Sequence, residues 1–146
     1  AAALDTVPHR DINARLKDVI GAIEPEMVFV PFPGDMHLDH GASARSALVA
    51  LRPDGSFAPA SIYAYETLSE TNWNAPYLTP GFAPNTFVDI TDQLETKIRA
   101  LQAFCSQLRP FPHERSVETA TALASLRGST VNRRAAEAFV LIRRIW

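Results

Sequence analysis

The sequence has little cysteine, no long apolar run and no excess of charge of one sign. Its single cysteine, Cys105, cannot form a disulfide within the chain. This favours a reducing compartment, or at least a fold that needs no disulfides, and we expect a cytoplasmic protein. Fourteen basic against sixteen acidic residues argue against a nucleic-acid-binding protein. The apolar runs are much shorter than the roughly 18 residues of a membrane span, and no Gly-x-Gly-x-x-Gly pattern suggests a dinucleotide cofactor.

What remains is the composition of an ordinary globular protein of 146 residues, which fits one domain. The spacing of apolar residues predicts five helices, over about 11–23, 39–51, 91–108 (with Cys105 on its buried face), 116–128 and from 132 onward. It predicts three strands, over 27–30, 61–66 and 87–90, the first of them buried on both faces. The alternation indicates an α/β domain with a mainly parallel sheet, and three strands are too few for a complete sheet.

One dense polar cluster, Asp35-Met36-His37-Leu38-Asp39-His40, follows the first predicted strand and opens a helix. Ligands bind at the carboxyl ends of strands in open parallel sheets, so this position suits a site. If the helix starts near Leu38, His37 and His40 approach the same point from one side. Neutral imidazole binds zinc, and carboxylates bind zinc or orient the imidazoles. The alternative is that the two aspartates only cap a helix and the histidines are exposed at a loop tip.

This hexapeptide resembles the second signature of the LmbE-like, or PIG-L, N-deacetylases. These zinc enzymes remove acetyl groups from N-acetylglucosamine units and related amides. Further stretches resemble the family in the same order along the chain, namely Leu4-Asp5-Thr6-Val7-Pro8, Pro84-Asn85-Thr86-Phe87-Val88-Asp89-Ile90, Phe111-Pro112-His113-Glu114-Arg115-Ser116 and Ala136-Glu137-Ala138-Phe139. The resemblance implies a Rossmann-like three-layer α/β domain that removes an N-acetyl group from an amino sugar or a related amide.

The resemblance also implies roles for single residues. His40 is expected as a zinc ligand, and His37 as the general acid or as the donor that stabilises the oxyanion. Asp39 is expected to hydrogen-bond an imidazole and fix its tautomer. Asp35, Glu66 and Arg115 are assigned to substrate binding.

The residues alone leave alternatives open for two of these assignments. Glu66 is equally interpretable as a solvated strand end. Arg115, in a proline-bounded loop, is equally interpretable as a contact to a neighbouring subunit or as an exposed side chain.

The sequence departs from the family at its first signature, His-Pro-Asp-Asp, which supplies two more zinc ligands and the general base and is absent here. The chain also opens on three alanines without an initiator methionine. We therefore expect residues 1–146 to form a single LmbE-like deacetylase domain that lacks its N-terminal part and the strands belonging to it. One ligand is too few to hold catalytic zinc, so we expect this fragment to be inactive and to bind zinc weakly or not at all.

The expected partner is an amino-sugar or glycoconjugate substrate, and the resemblance leaves a homo-oligomer open. The alternative to an enzyme is a non-catalytic domain that binds a glycan or a protein on the same scaffold.

Overall fold

The computed structural model describes residues 3–54 and 57–146. A 3-10 turn, Leu4–Thr6, precedes four helices: α1 His9–Ile23, α2 Leu38–Ala50, α3 Leu94–Ala103 and α4 Val117–Thr130. The four strands are β1 Met27–Pro31, β2 Ser61–Tyr65, β3 Thr86–Asp89 and β4 Ala136–Arg144. The chain divides into two compact units, one made of the residues up to Ala83 together with Val140–Trp146, the other of Pro84–Phe139.

The strands form a mixed sheet in the order β1-β2-β4-β3. β1 and β2 are parallel, with Met27 beside Ser61 and Pro31 beside Tyr65. β3 and β4 are antiparallel, with Thr86 beside Phe139. The predicted α/β class is therefore confirmed, although one of its strand pairs runs antiparallel. The interpretation of residues 1–146 as a single LmbE-like domain stays a prediction.

The core of the first unit lies where α2 meets β1 and β2. Its buried residues are Val30, Phe32, Ala47, Leu51, Ile62 and Ala64. The C-terminal half of β4 contributes Val140 to this core, and Leu16 and Ile20 of α1 pack against it. Two hydrogen bonds tie the end of the chain to this unit, from Arg143 Nη2 to the Leu51 carbonyl (2.5 Å) and from the Ile145 N–H to the Ala60 carbonyl (2.8 Å).

The second unit has a small core of Ile90, Ala124 and Ala135, with Leu94 packed against it. Ser116 caps α4 as predicted, because its hydroxyl oxygen accepts a hydrogen bond from the Thr119 N–H (3.1 Å). The helix then packs closely against the backbone that follows it. A Cβ on Gly128 would lie 2.7 Å from the Ala135 nitrogen, so glycine is required there.

The prediction of a last helix after Asn132 is wrong, because this segment is strand β4. Ala136, Phe139 and Val140 fit helical spacing over a window this short, but Phe-Val-Leu-Ile is a run of strand-forming residues. Asn132 has a φ of 57°, in the left-handed region, and does not start a helix. Pairing with β3 then supplies the hydrogen bonds of the strand.

Two other predictions need correction. The third helix ends at Ala103, since Phe104 leaves the helical conformation (φ −91°, ψ 50°), and Cys105 beyond it is exposed rather than buried. β1 is not buried on both faces. Val30 is buried, whereas Met27 is 50% exposed and Phe29 is 48% exposed, so β1 has the alternation of a strand with one covered face. No helix in the described part of the chain is both long and apolar enough to cross a membrane.

Candidate functional site

The polar cluster lies in the loop that joins β1 to α2, at the carboxyl end of the parallel strand pair. Pro31 and Tyr65 end their strands side by side, and the Phe32 N–H donates to the Tyr65 carbonyl (3.0 Å). α2 begins at Leu38, one residue before the predicted start at about 39. The residues from Asp35 to His40 therefore occupy the edge of an open parallel pair at which ligands commonly bind.

A short contact within the cluster joins His40 to Asp35. Side chains in a helix lean toward its N-terminus, so His40, in the first turn of α2, points back at the loop. His40 Nδ1 lies 2.8 Å from Asp35 Oδ2. A carboxylate only accepts, so in the neutral ring Nδ1 carries the proton and the lone pair of Nε2 stays available. The side chain of His40 is 26% exposed.

His37 makes the opposite hydrogen bond. It is the N-cap of α2, and its Nδ1 accepts from the Asp39 N–H at 3.2 Å. A proton on Nδ1 would face that N–H, so this contact selects the neutral ring with its proton on Nε2. The two imidazoles are stacked, with 5.2 Å between ring centroids and 28° between planes. The loop thus presents one ring with an open nitrogen lone pair and a neighbouring ring with an N–H.

Asp39 hydrogen-bonds an imidazole through its backbone N–H, whereas the carboxylate that contacts an imidazole is that of Asp35. Asp39 Oδ1 accepts from the Leu4 N–H (2.9 Å) and so holds the N-terminal 3-10 turn against α2. Sequence spacing alone offered no basis for choosing between the two carboxylates.

The carboxylate of Asp35 is buried rather than open to a substrate. Its side chain has no exposed surface, and its second oxygen, Oδ1, accepts from the Thr71 hydroxyl at 2.5 Å. The negative charge of Asp35 also acts on the phenol of Tyr65. Burial, reinforced by the negative charge of Asp35, raises the pKa of the Tyr65 phenol. In this structure Asp35 therefore orients His40 and does not present an oxygen to a substrate.

Thr71 is a residue of this site that the sequence did not single out. It belongs to the loop after β2, whose Thr-Leu-Ser-Glu-Thr-Asn segment is typical of turns. The Met36 N–H also donates to a carbonyl in this turn, that of Glu70, at 3.3 Å. The composition signals a turn, but no local pattern indicates which distant carboxylate the threonine contacts.

Glu66 and Arg115 lie in different units. Glu66 is half-buried and directly follows β2, at the same strand edge as the polar cluster. Arg115 is half-buried in the second unit, in the loop before α4. There its guanidinium donates to Gln107 Oε1 (3.0 Å) and its N–H donates to His113 Nδ1 (3.0 Å). Their assignment to substrate binding stays a prediction.

The cluster fits one ligand of a metal site rather than a complete site. The residues described include no group of three or more His, Cys, Asp or Glu side chains placed to hold a metal ion together. Catalytic zinc usually has three protein ligands. His40 has the second-sphere carboxylate typical of a metal-binding histidine, with Nε2 open. Asp35 and Asp39 are already used inside the protein by the contacts described above.

Solved structures with the same fold include the following three proteins. The conserved protein TT1542 from Thermus thermophilus has a TM-score of 0.72 at 23% identity, over 93% of this chain and 60% of its own. GalB, the 4-carboxy-2-hydroxymuconate hydratase from Pseudomonas putida, has 0.71 at 24% identity, over 94% and 60%. The N,N'-diacetylchitobiose deacetylase from Pyrococcus horikoshii has 0.62 at 22% identity, over 93% and 53%. This chain therefore shares its α/β fold with these proteins.

At these identities the likeness establishes the shared fold and no more. The chain spans about three-fifths of the length of the proteins it matches best among these. No protein-family profile matches the sequence, and no curated protein does either.

Proposed function

We propose that this chain forms part of a metal-dependent hydrolase that removes an N-acetyl group from an amino sugar or a related amide. One observation carries the proposal, namely the opposite hydrogen bonding of two stacked imidazoles at the carboxyl edge of a parallel strand pair. Nδ1 of His40 faces a buried carboxylate (2.8 Å), and Nδ1 of His37 faces a backbone N–H (3.2 Å). One ring can therefore bind a cation through Nε2 while the other donates a hydrogen bond beside it.

In this proposal His40 is one zinc ligand, and the remaining ligands and the general base come from a His-Pro-Asp-Asp segment outside residues 1–146. The metal, when bound, activates a water molecule and polarises the amide carbonyl. His37 donates its Nε2–H to the carbonyl oxygen as negative charge develops there. Its Nδ1 contact favours this neutral donor role over that of a general acid, because a protonated ring would oppose the Asp39 N–H. The N-terminus of α2 adds a favourable field for that negative charge.

The substrate assignments follow from position. Glu66 leaves β2 at the edge where the cluster leaves β1, and a carboxylate there suits a sugar hydroxyl. Arg115 is proposed as a second substrate contact or as a contact to a neighbouring subunit. The fold likeness to a protein described as a diacetylchitobiose deacetylase supports an amino-sugar substrate.

A second candidate is a hydratase, which the TM-score of 0.71 to GalB favours. Both reactions begin with attack by an activated water. They differ in the next step, since a deacetylase breaks a C–N bond and releases acetate, whereas a hydratase retains the added water in its product.

The test compares acetate release from N,N'-diacetylchitobiose with hydration of 4-carboxy-2-hydroxymuconate, using the full-length gene product with added Zn²⁺. We expect acetate release, its loss in His40→Ala, and partial retention in His37→Gln, whose amide keeps an N–H donor. His37→Ala should lose about 100-fold or more, the usual cost of removing an oxyanion donor. Hydration without acetate release supports the second candidate. Substrate binding that is unchanged by His40→Ala, with neither reaction, indicates a non-catalytic binding domain instead.

A further inference from the structure

The buried carboxylate of Asp35 is fixed at both oxygens, and only one of its partners is a histidine. The other is Thr71, which lies in the loop after β2 and is 7% exposed. The oxygen of the Thr71 hydroxyl also accepts from the Thr67 N–H at 2.7 Å. Because that oxygen accepts from the backbone on one side, its own proton is directed at Asp35 on the other.

The turn that carries Thr71 is held by its own hydrogen bonds. The Thr71 N–H donates to the Thr67 carbonyl (2.9 Å), and the Ser69 N–H donates to Asn72 Oδ1 (2.9 Å). The Met36 N–H donates to the Glu70 carbonyl (3.3 Å), which joins the turn to the polar loop. The position of the Thr71 hydroxyl is therefore fixed by the hydrogen bonds of this turn, unlike that of a freely rotating side chain on the surface.

We propose that Thr71 is a positioning residue for His40 and acts through Asp35. With its two oxygens engaged by Thr71 and His40, the carboxylate cannot rotate about its last side-chain bond without breaking a buried hydrogen bond. It therefore keeps Nδ1 of His40 protonated and aims Nε2 in a fixed direction. The importance of that direction for a metal rests on the proposed function, whereas the control of the ring by Thr71 does not.

The test measures the tautomer of His40 directly, without metal or substrate. NMR spectra that correlate the ring nitrogens and protons of histidine distinguish the Nδ1–H form from the Nε2–H form. In the unaltered chain at a pH where the rings are neutral, we expect the Nδ1–H form at His40. In Thr71→Val we expect the population of the Nε2–H form to rise about fivefold, the change that corresponds to one hydrogen bond of ordinary net strength. Thr71→Ser keeps the hydroxyl and should restore the original spectrum.

The matched control is Thr79→Val, since Thr79 lies in the same loop and bonds Asn74 rather than Asp35. It should leave the signals of His40 unchanged. A folded Thr71→Val variant with the original His40 spectrum overturns the proposal.

If Thr71→Val does not fold, the proposal is tested by NMR on the unaltered chain. The buried Thr71 hydroxyl, which donates to the Asp35 carboxylate, should give a slowly exchanging proton signal. If this proton signal is absent, the proposal is overturned. If the signal is present and Thr71→Ser gives the original His40 spectrum, the proposal is supported. Failure of the acetate assay would leave these spectra unaffected, so the two proposals fail separately.

Discussion

Replacing Asp35 by alanine should destabilise the protein more than any other single change in the polar cluster. The substitution removes two hydrogen bonds to a charged acceptor, from His40 at 2.8 Å and from Thr71 at 2.5 Å. Such bonds contribute about 1.5–3 kcal/mol each, which sets an upper limit of about 6 kcal/mol. The folded protein also bears the cost of keeping this carboxylate out of water, so we expect a net loss of about 2–4 kcal/mol in the free energy of unfolding.

Urea unfolding followed by tryptophan fluorescence measures this loss as a lower midpoint at unchanged slope. Asp35→Asn should cost less, about 1–2 kcal/mol, because its amide oxygen can still accept from His40 while its amide group faces the Thr71 oxygen. Asp39→Asn is the control, since asparagine keeps an oxygen for the Leu4 N–H, and its effect should stay within about 0.5 kcal/mol. If Asp35→Ala unfolds at the original midpoint, the carboxylate does not anchor the loop and the reasoning fails.

Three further predictions concern other parts of the molecule. Burial raises the pKa of Tyr65 above the ordinary 10.0, so the fold retains a proton that the unfolded chain releases, and stability should fall as the pH rises above that value; absorbance titration should show a late phenol that Tyr65→Phe removes. The side-chain and backbone hydrogen bonds of Thr91 lower the pKa of Asp89 below 3.8, so its contribution to stability is complete above that value and is lost on further acidification; Asp89→Asn should flatten the acid limb of a stability-versus-pH curve, and an unchanged limb would contradict this. Gly128→Ala should destabilise by about 1–3 kcal/mol because its new methyl meets backbone at 2.7 Å, whereas Gly21→Ala, with open space around it in α1, should stabilise by about 0.5–1 kcal/mol; equal thermal midpoints would contradict both.

The sequence was most informative where a local pattern is enough to determine structure. The start of α2 at Leu38 follows from a loop rich in proline and glycine and a polar N-terminus, and it brings the two imidazoles together on one side. Ser116 could be recognised as a cap for the same reason. Such features depend on residues a few positions apart, whose geometry a helix dictates.

Long-range pairing was the part that the sequence did not determine. The segment from Ala136 becomes a strand because β3 pairs with it, and an apolar run of this length fits either period. The choice of Asp35 over Asp39 as the partner of His40 has the same origin, since Thr71 secures Asp35 from 36 positions away along the chain. Both outcomes depend on which segment, distant along the chain, packs beside the residue in the fold. A single sequence does not directly show such contacts.

Because β4 contributes residues to both units, the order in which the chain is synthesised affects its folding. The earlier residues of the first unit emerge well before β4, the strand that lies beside β2 in the sheet. Until β4 is synthesised, the edge of β2 with which it later pairs has backbone hydrogen-bonding groups without strand partners. Such an edge can pair with other nascent chains. Slow translation of the codons for β4 should therefore lower the yield of folded protein more than an equal delay elsewhere in the message.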